Sequence, residues 1–216
     1  MSACCSSYGD VAGAQFDETI ARRELQSYRK NGPGPTARLL RDLIVDTGGI
    51  DGSLLDVGSG IGGLTFELLD RGITRAIAVD ASAPYLAAAA QEATRRDRLR
   101  VVEFVHGDFL EVASRVPKAT VVTLDRVICC YPSYETLLDE SLRHTERVLA
   151  FSYPKDAWYV AAAVGLENRA RWLKRNPFRA FVHPVDQMTR IVERAGLRLV
   201  GRRQTWQWSA DVWTRS

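Results

Sequence analysis

The sequence has 216 residues, 46% of them apolar and 25% charged, enough for one well-buried domain and too few for two ordinary ones. Its net charge of +3 is mild. The longest apolar runs, such as Val121 to Leu124 and Ala157 to Leu166, are far short of a membrane span, and the start Met-Ser-Ala-Cys-Cys has no basic-then-apolar secretory pattern, so a soluble, cytoplasmic protein is expected.

In chain order, a polar start to about residue 15 precedes a predicted helix over Asp17 to Lys30, stopped by Gly32-Pro33-Gly34-Pro35. Thr36 is placed to cap a second helix to about Val45, with Leu39, Leu40, Leu43 and Ile44 on one face. Residues 1–50 thus read as an N-terminal helical extension that closes over whatever site follows, ahead of one domain over 51–216. From Ser53 short apolar strands alternate with helices. Strands are expected at Leu54 to Val57, Ala76 to Val79, Val101 to Val105, Thr120 to Leu124 and Val148 to Phe151. Helices are expected at Leu64 to Arg71, Ala83 to Arg95, Ser133 to Thr145 and about Asp156 to Lys174. Continuous apolar strands separated by helices specify a mostly parallel sheet covered on both faces, a doubly wound, Rossmann-like α/β fold. A last helix over Val185 to Ala195 is closed by Gly196, and Leu197 to Gln204 with Gln207 to Thr214 read as a closing antiparallel strand pair.

The four cysteines form two adjacent pairs, Cys4-Cys5 and Cys129-Cys130, whose spacing fits neither a redox Cys-x-x-Cys nor a zinc ribbon; reduced thiols and no metal are expected. Basic residues crowd two regions, Arg22 to Arg41 and Arg169 to Arg179. They are either solvated helix faces or a surface for an anionic substrate or partner.

The stretch Leu54-Leu55-Asp56-Val57-Gly58-Ser59-Gly60-Ile61-Gly62-Gly63-Leu64 breaks the first strand with four glycines. In such a fold ligands sit at the carboxyl ends of the strands, and bare backbone lets one lie against peptide groups. By itself the stretch also satisfies the G-x-G-x-x-G of dinucleotide enzymes. Asp56 separates the readings: a carboxylate two residues before the first glycine repels a pyrophosphate and attracts an ammonium group. Asp80, closing the second strand, is placed to accept hydrogen bonds from ribose hydroxyls in either case.

These residues resemble the class I S-adenosylmethionine-dependent methyltransferases. Asp56 to Gly62 looks like that family's first motif, Ala78-Val79-Asp80-Ala81-Ser82 like its acidic end of strand two, His106-Gly107-Asp108-Phe109 like its turn after strand three, and Leu124-Asp125 like its fourth motif. The resemblance implies that Asp56, Gly58, Ser59, Gly60 and Gly62 cradle the methionine part of S-adenosylmethionine. It implies further that Asp80 holds the ribose, that Asp108 with Phe109 flanks the adenine, and that Ala81, Gly107 and Asp125 also contact the cofactor.

The acceptor is less legible, because an electrophilic methyl group mainly needs a nucleophile held in line and water kept out. A base is required only where the acceptor must lose a proton. Tyr131, Tyr153 and His183 are the candidate acceptor-side residues, each with packing as the alternative. The Asn-Pro-Pro-Tyr signature of amino-methylating nucleic-acid enzymes is missing, so a small molecule methylated at oxygen is expected, and no nucleic acid. The C-terminal half more weakly resembles magnesium-protoporphyrin IX methyltransferases, through Asp125 to Pro132, Tyr153-Pro154-Lys155, Tyr159, Arg179 to His183 and Arg194-Ala195-Gly196. That likeness implies a planar, anionic acceptor, which the basic N-terminal helices and Trp158, Trp172, Phe178 and Phe181 would suit. Where that family carries a catalytic histidine immediately before Tyr-Pro, however, this sequence has Cys130. The other readings are carboxylate esterification of that macrocyclic type, a catalytically silent cofactor-binding protein, a nicotinamide-dependent oxidoreductase and, from the cysteines, a thiol-dependent metalloid methyltransferase.

Overall fold

The computed structural model describes residues 11–13, 15–48 and 51–215; the Cys4-Cys5 pair lies outside them. Seven strands form one sheet: β1 (Gly52–Val57), β2 (Ile73–Asp80), β3 (Val102–His106), β4 (Ala119–Leu124), β5 (Thr145–Pro154), β6 (Leu197–Gln204) and β7 (Trp208–Arg215), in the order β3-β2-β1-β4-β5-β7-β6. The first five pair in parallel, whereas β7 runs antiparallel between β5 and β6. The expected fold class is therefore the observed one. The sequence pattern under-reads β5, which extends at both ends of the apolar stretch because β7 pairs with it as far as Pro154.

The helices are α1 (Glu18–Asn31), α2 (Pro35–Asp46), α3 (Gly63–Leu69), α4 (Ala83–Arg95), α5 (Phe109–Val112), α6 (Tyr134–His144), α7 (Trp158–Leu173) and α8 (Val185–Arg194). One face of the sheet is covered by α1 to α4, through Leu25, Leu40, Ile44, Phe66 and Ala93. The other is covered by α5, α6 and α8, through Phe109, Leu137, Leu138, Met188 and Val192. This split follows from the topology, because crossovers leaving β1 and β2 turn one way and those leaving β3 and β4 the other. The order reverses between β1 and β4, and there a crevice opens beyond the strand ends.

Thr36 does not cap α2. Gly34 is the N-cap and Pro35 occupies the first helical turn, where a missing N–H costs nothing. Thr36 is instead buried inside the helix, its hydroxyl bonded to Asp125. The 3-10 turns Ala113–Arg115 and Ile128–Cys130 have no counterpart in the sequence reading; they are too short for apolar periodicity to register.

Candidate active site

The chain leaves β1 through a turn that only glycine tolerates. Gly58, Gly60 and Gly62 have φ of 65°, 56° and 78°, in the left-handed region that a Cβ disfavours. A Cβ on Gly58 would stand 2.4 Å from a Val127 methyl, and one on Gly62 would stand 2.7 Å from the Phe66 ring. On Gly60 the nearest atoms, in the Tyr85 ring, are 3.8 Å away. Gly58 and Gly62 are thus required by packing as well as by φ, whereas at Gly60 a Cβ would make only ordinary contact with the Tyr85 ring and the positive φ alone favours glycine. The Gly58 and Ser59 amides both donate to the Val79 carbonyl, at 2.8 and 3.1 Å, which binds the turn to the end of β2.

Asp80 ends β2 with 8% of its surface exposed. One carboxylate oxygen accepts from the Gly60 amide at 2.7 Å and the other from the Ser82 amide at 2.8 Å. Burial pushes its pKa from 3.8 up to about 6, against the pull of those two amides. Asp56 is buried in β1, its two oxygens taking the hydroxyls of Thr65 (2.6 Å) and Thr123 (2.7 Å). Burial raises its pKa to about 6 also. Both carboxylate oxygens of Asp56 are thus engaged by threonine hydroxyls while the residue still lines the cavity. Asp125, at the end of β4, accepts from Ser152 Oγ at 2.6 Å and from Thr36, with its pKa raised by burial.

These residues line a cavity of about 590 Å³ that runs from the strand ends to α1, α2 and α7. Of the sequence-predicted set, the structure brings together Asp56, Gly58, Ser59, Gly60, Asp80, Ala81, Gly107, Phe109, Asp125 and Tyr131 on its wall. Gly62 lies behind the turn, and Asp108 does not open into the cavity. One Asp108 oxygen caps α5 through the Leu110 amide at 3.0 Å and accepts the Tyr131 hydroxyl at 2.6 Å, so this aspartate positions Phe109 and Tyr131.

Two of the three acceptor-side candidates are likewise placed elsewhere. Tyr153 donates to Asp211 at 2.9 Å, and Asp211 is buried and held by Arg202 at 2.7 Å, a tie across β5, β7 and β6. His183 is buried with its ring 4.2 Å from that of Tyr134 and its Nε2 3.2 Å from the Ile128 carbonyl, and burial lowers its pKa. It braces the Ile128–Cys130 turn from behind. Trp158 and Trp172 point outward at 83% and 64% exposure, and Phe181 stacks on His183; of the four aromatics offered for a planar acceptor only Phe178 reaches the cavity.

Sequence reasoning missed Phe16, Tyr28, Tyr85 and Trp208, all on the cavity wall. Phe16 stacks on Tyr85 at 5.3 Å and meets Phe178 edge-on at 5.4 Å, while its carbonyl accepts from Ser82 Oγ at 2.6 Å. The segment before α1 is thereby pinned over the end of β2. Nothing in the spacing of these aromatics marks them, since they come from four separate parts of the chain. Arg126 holds φ of 62°, rare for a residue with a Cβ and a signature of strained functional turns. Its guanidinium lies 5.3 Å from the centre of the Trp208 ring. Arg38, on the first turn of α2, also faces the cavity, and neither arginine forms an ion pair among the described residues. Cys129 and Cys130 are not joined in a disulfide, their sulfurs lying 3.8 Å apart. The Cys130 contact, then burial, raises the Cys129 thiol pKa, so it does not ionise readily.

The crevice accepts a nucleoside on its own evidence. The backbone at Gly60 meets only the Tyr85 ring, at van der Waals distance, Asp80 lines the cavity with each oxygen accepting one amide, and Ser59 Oγ is buried with no hydrogen-bond partner among the described residues, an orphan of the kind a ligand satisfies.

Residues 54–150 match the family model described as a methyltransferase domain. No curated protein matches the chain. Among solved structures, magnesium protoporphyrin IX methyltransferase from Synechocystis PCC 6803 with bound SAH superposes with a TM-score of 0.75 at 19% identity, covering 97% of this chain and 100% of that one. An O-methyltransferase family protein from Burkholderia thailandensis gives 0.70 at 17% identity, over 94% of this chain and 61% of that one. An O-methyltransferase family 2 protein from Planctomyces limnophilus in complex with apigenin gives 0.66 at 16% identity, over 92% and 62%. The domain match runs from β1 into β5, strands whose ends build the cavity, so residues 54–150 form a methyltransferase domain, carried on the fold that these structures share.

Proposed function

We propose that the protein methylates an oxygen atom of a small, planar, anionic acceptor. The observation that carries this reading is the placing of charge in the cavity: carboxylates of Asp56, Asp80 and Asp125 at the strand ends, the guanidinium groups of Arg126 and Arg38 on the side of α2 and β7, and, on the helices beyond, Glu24 and a Glu167 already paired with Arg171. The first group suits a cationic cofactor and the second an anionic acceptor. The Trp208 ring beneath Arg126, with Pro154 paired beside it on β5, offers flat apolar surface to an acceptor's body.

When bound, S-adenosylmethionine supplies an electrophilic methyl group on a sulfonium. In this reading the Gly58 to Gly60 turn and Ser59 Oγ receive its methionine part, Asp80 and Ala81 the ribose, and Gly107 and Phe109 the adenine. Gly62 and Asp108 shape the turn and the adenine side without touching the ligand. Tyr131, its hydroxyl given to Asp108, is a positioning residue rather than a base. Arg126 and Arg38 orient the acceptor so that one oxygen faces the methyl, which supplies the proximity that in-line displacement needs. No histidine lines the cavity among the described residues. That fits an acceptor oxygen already ionised at neutral pH, such as a carboxylate, which needs no base. The Synechocystis structure is by name that of a porphyrin methyltransferase and the Planctomyces one holds apigenin; both names fit a planar acceptor.

The test is an acceptor screen for SAH release with planar carboxylates and their neutral amides. Turnover is expected with the carboxylates, and Arg126→Gln should raise KM by about tenfold or more, the loss of one charge-assisted contact, with SAH affinity unchanged. Equal turnover of the neutral amides, or an unchanged KM in the variant, overturns the anionic reading.

A further inference from the structure

The outer face of α7 carries chemistry that methyl transfer does not use. This helix of 16 residues buries only Val160. It docks along one line, with Val164 and Arg171 on the cavity wall and Asn168 exchanging two hydrogen bonds with the Ala180 backbone, at 2.7 and 3.0 Å. The opposite face shows Trp158, Leu166, Trp172 and Leu173 at 83, 72, 64 and 69% exposure. At 3.6 residues per turn these four fall within an arc of about 120°, and the two tryptophans stand about 21 Å apart along the axis. Trp206, 67% exposed and stacked on Tyr159, extends the apolar surface at the N-terminal end. Isolated exposed apolar residues are ordinary; five large ones on one surface are not.

Charge says what covers it. Residues 155–175 hold five basic residues against two acidic ones, and Glu167 is already taken by Arg171 at 2.5 Å. Arg169, Lys174 and Arg175 are exposed, and none forms an ion pair among the described residues. A second copy of the chain would set these cations against their own images. An anionic bilayer surface meets them with opposite charge, takes up the leucines among its acyl chains and seats tryptophan rings at headgroup level. No described helix is long and apolar enough to cross a membrane, so the mode is lying on the surface. We propose that the outer face of α7 is a seat for an anionic lipid bilayer.

The experiment is co-sedimentation of the full chain with vesicles of phosphatidylcholine alone and of equimolar phosphatidylcholine and phosphatidylglycerol, at low and high salt. Binding to the anionic vesicles is expected, weakened by salt. The double variant Trp158→Ser, Trp172→Ser should lower it by about tenfold or more, given the apolar surface removed, and Lys174→Ala with Arg175→Ala should flatten its salt dependence. Both variants should keep the wild-type melting temperature and its rise with SAH, which separates loss of the seat from loss of the fold. Three outcomes overturn the proposal: no binding to either vesicle, binding untouched by the tryptophan changes, or a wild-type dimer in ultracentrifugation that those changes dissociate. None of these readouts involves turnover, so the acceptor assignment stands or falls separately.

Discussion

Asp80 organises the glycine turn from a single side chain. Its two oxygens hold the Gly60 and Ser82 amides, so they set the shape of the glycine turn before any ligand arrives. In the proposed reading Asp80→Ala removes a charge-assisted hydrogen bond to the ribose, contributing about 1.5 to 3 kcal/mol, together with the carboxylate that shapes the turn. SAH affinity in calorimetry should therefore fall by about a hundredfold, with the circular dichroism of the fold retained. The pH dependence is a second expectation. Burial lifts both Asp80 and Asp56 to about 6, so lowering the pH from neutral through that value removes negative charge beside the cavity. Affinity for S-adenosylmethionine should drop by up to about tenfold per pH unit per group below pH 6, and more steeply than affinity for SAH, which lacks the sulfonium charge. Parallel profiles for the two ligands would remove the electrostatic role assigned to this pair. The same groups act oppositely on the ligand-free protein. With folded pKa values raised from 3.8, their contribution to stability is fully present below 3.8 and is lost as pH rises through about 6.

At the scale of elements, α1 is fastened to the domain by a charged knot. Glu92, fully buried on α4, receives Arg29 of α1 at 2.8 Å together with Arg95 and Arg96. Burial pushes its pKa up, but the hydrogen bonds from Arg95, Arg96 and Arg29 outweigh it and hold the carboxylate at about 2. Arg96 also donates to the Tyr28 hydroxyl at 2.9 Å, so α1 and α4 share one network. Glu92→Ala should destabilise the protein by about 2 kcal/mol, less than a fully buried pair would lose because the arginines are partly hydrated. A chemical denaturation midpoint equal to that of the wild type would show that α1 docks by its apolar face alone. Because this pKa is depressed from 4.5, the contribution is present above 4.5 and disappears as pH falls through about 2. Since α1 supplies Glu24, Ser27 and Tyr28 to the cavity wall, the variant should also weaken SAH binding.

For the whole molecule, a ligand held between the sheet and the N-terminal helices must stabilise the fold as a unit. At a hundredfold excess over its dissociation constant, SAH should add about 2.7 kcal/mol, a rise in melting temperature of about 5 to 10 °C for a chain of this size. NADH should leave the transition unmoved; a shift with NADH alone would return the glycine turn to a dinucleotide.

Much of the molecule was legible in the amino-acid order. Strand and helix alternate in the apolar periodicity itself, so β1 to β5, α4 and the closing pair were readable to within a few residues, and the glycine turn with Asp80 was readable because bare backbone and a strand-end carboxylate carry their chemistry locally. What periodicity does not encode is which side of an element meets which neighbour. Tyr153 and His183 carry the same hydroxyl and imidazole wherever they sit, and only packing turned the one toward Asp211 and the other behind Ile128. Tertiary structure likewise assembled Phe16, Tyr85, Phe178 and Trp208 around one cavity, set Arg126 on Trp208 and left two tryptophans of α7 in solvent. Local sequence determined the fold class and the cofactor turn because both rest on contacts between near neighbours. The cavity wall facing the strand ends was decided by the tertiary structure alone, because its groups come from opposite ends of the chain and meet only when the sheet has closed with β7 beside β5.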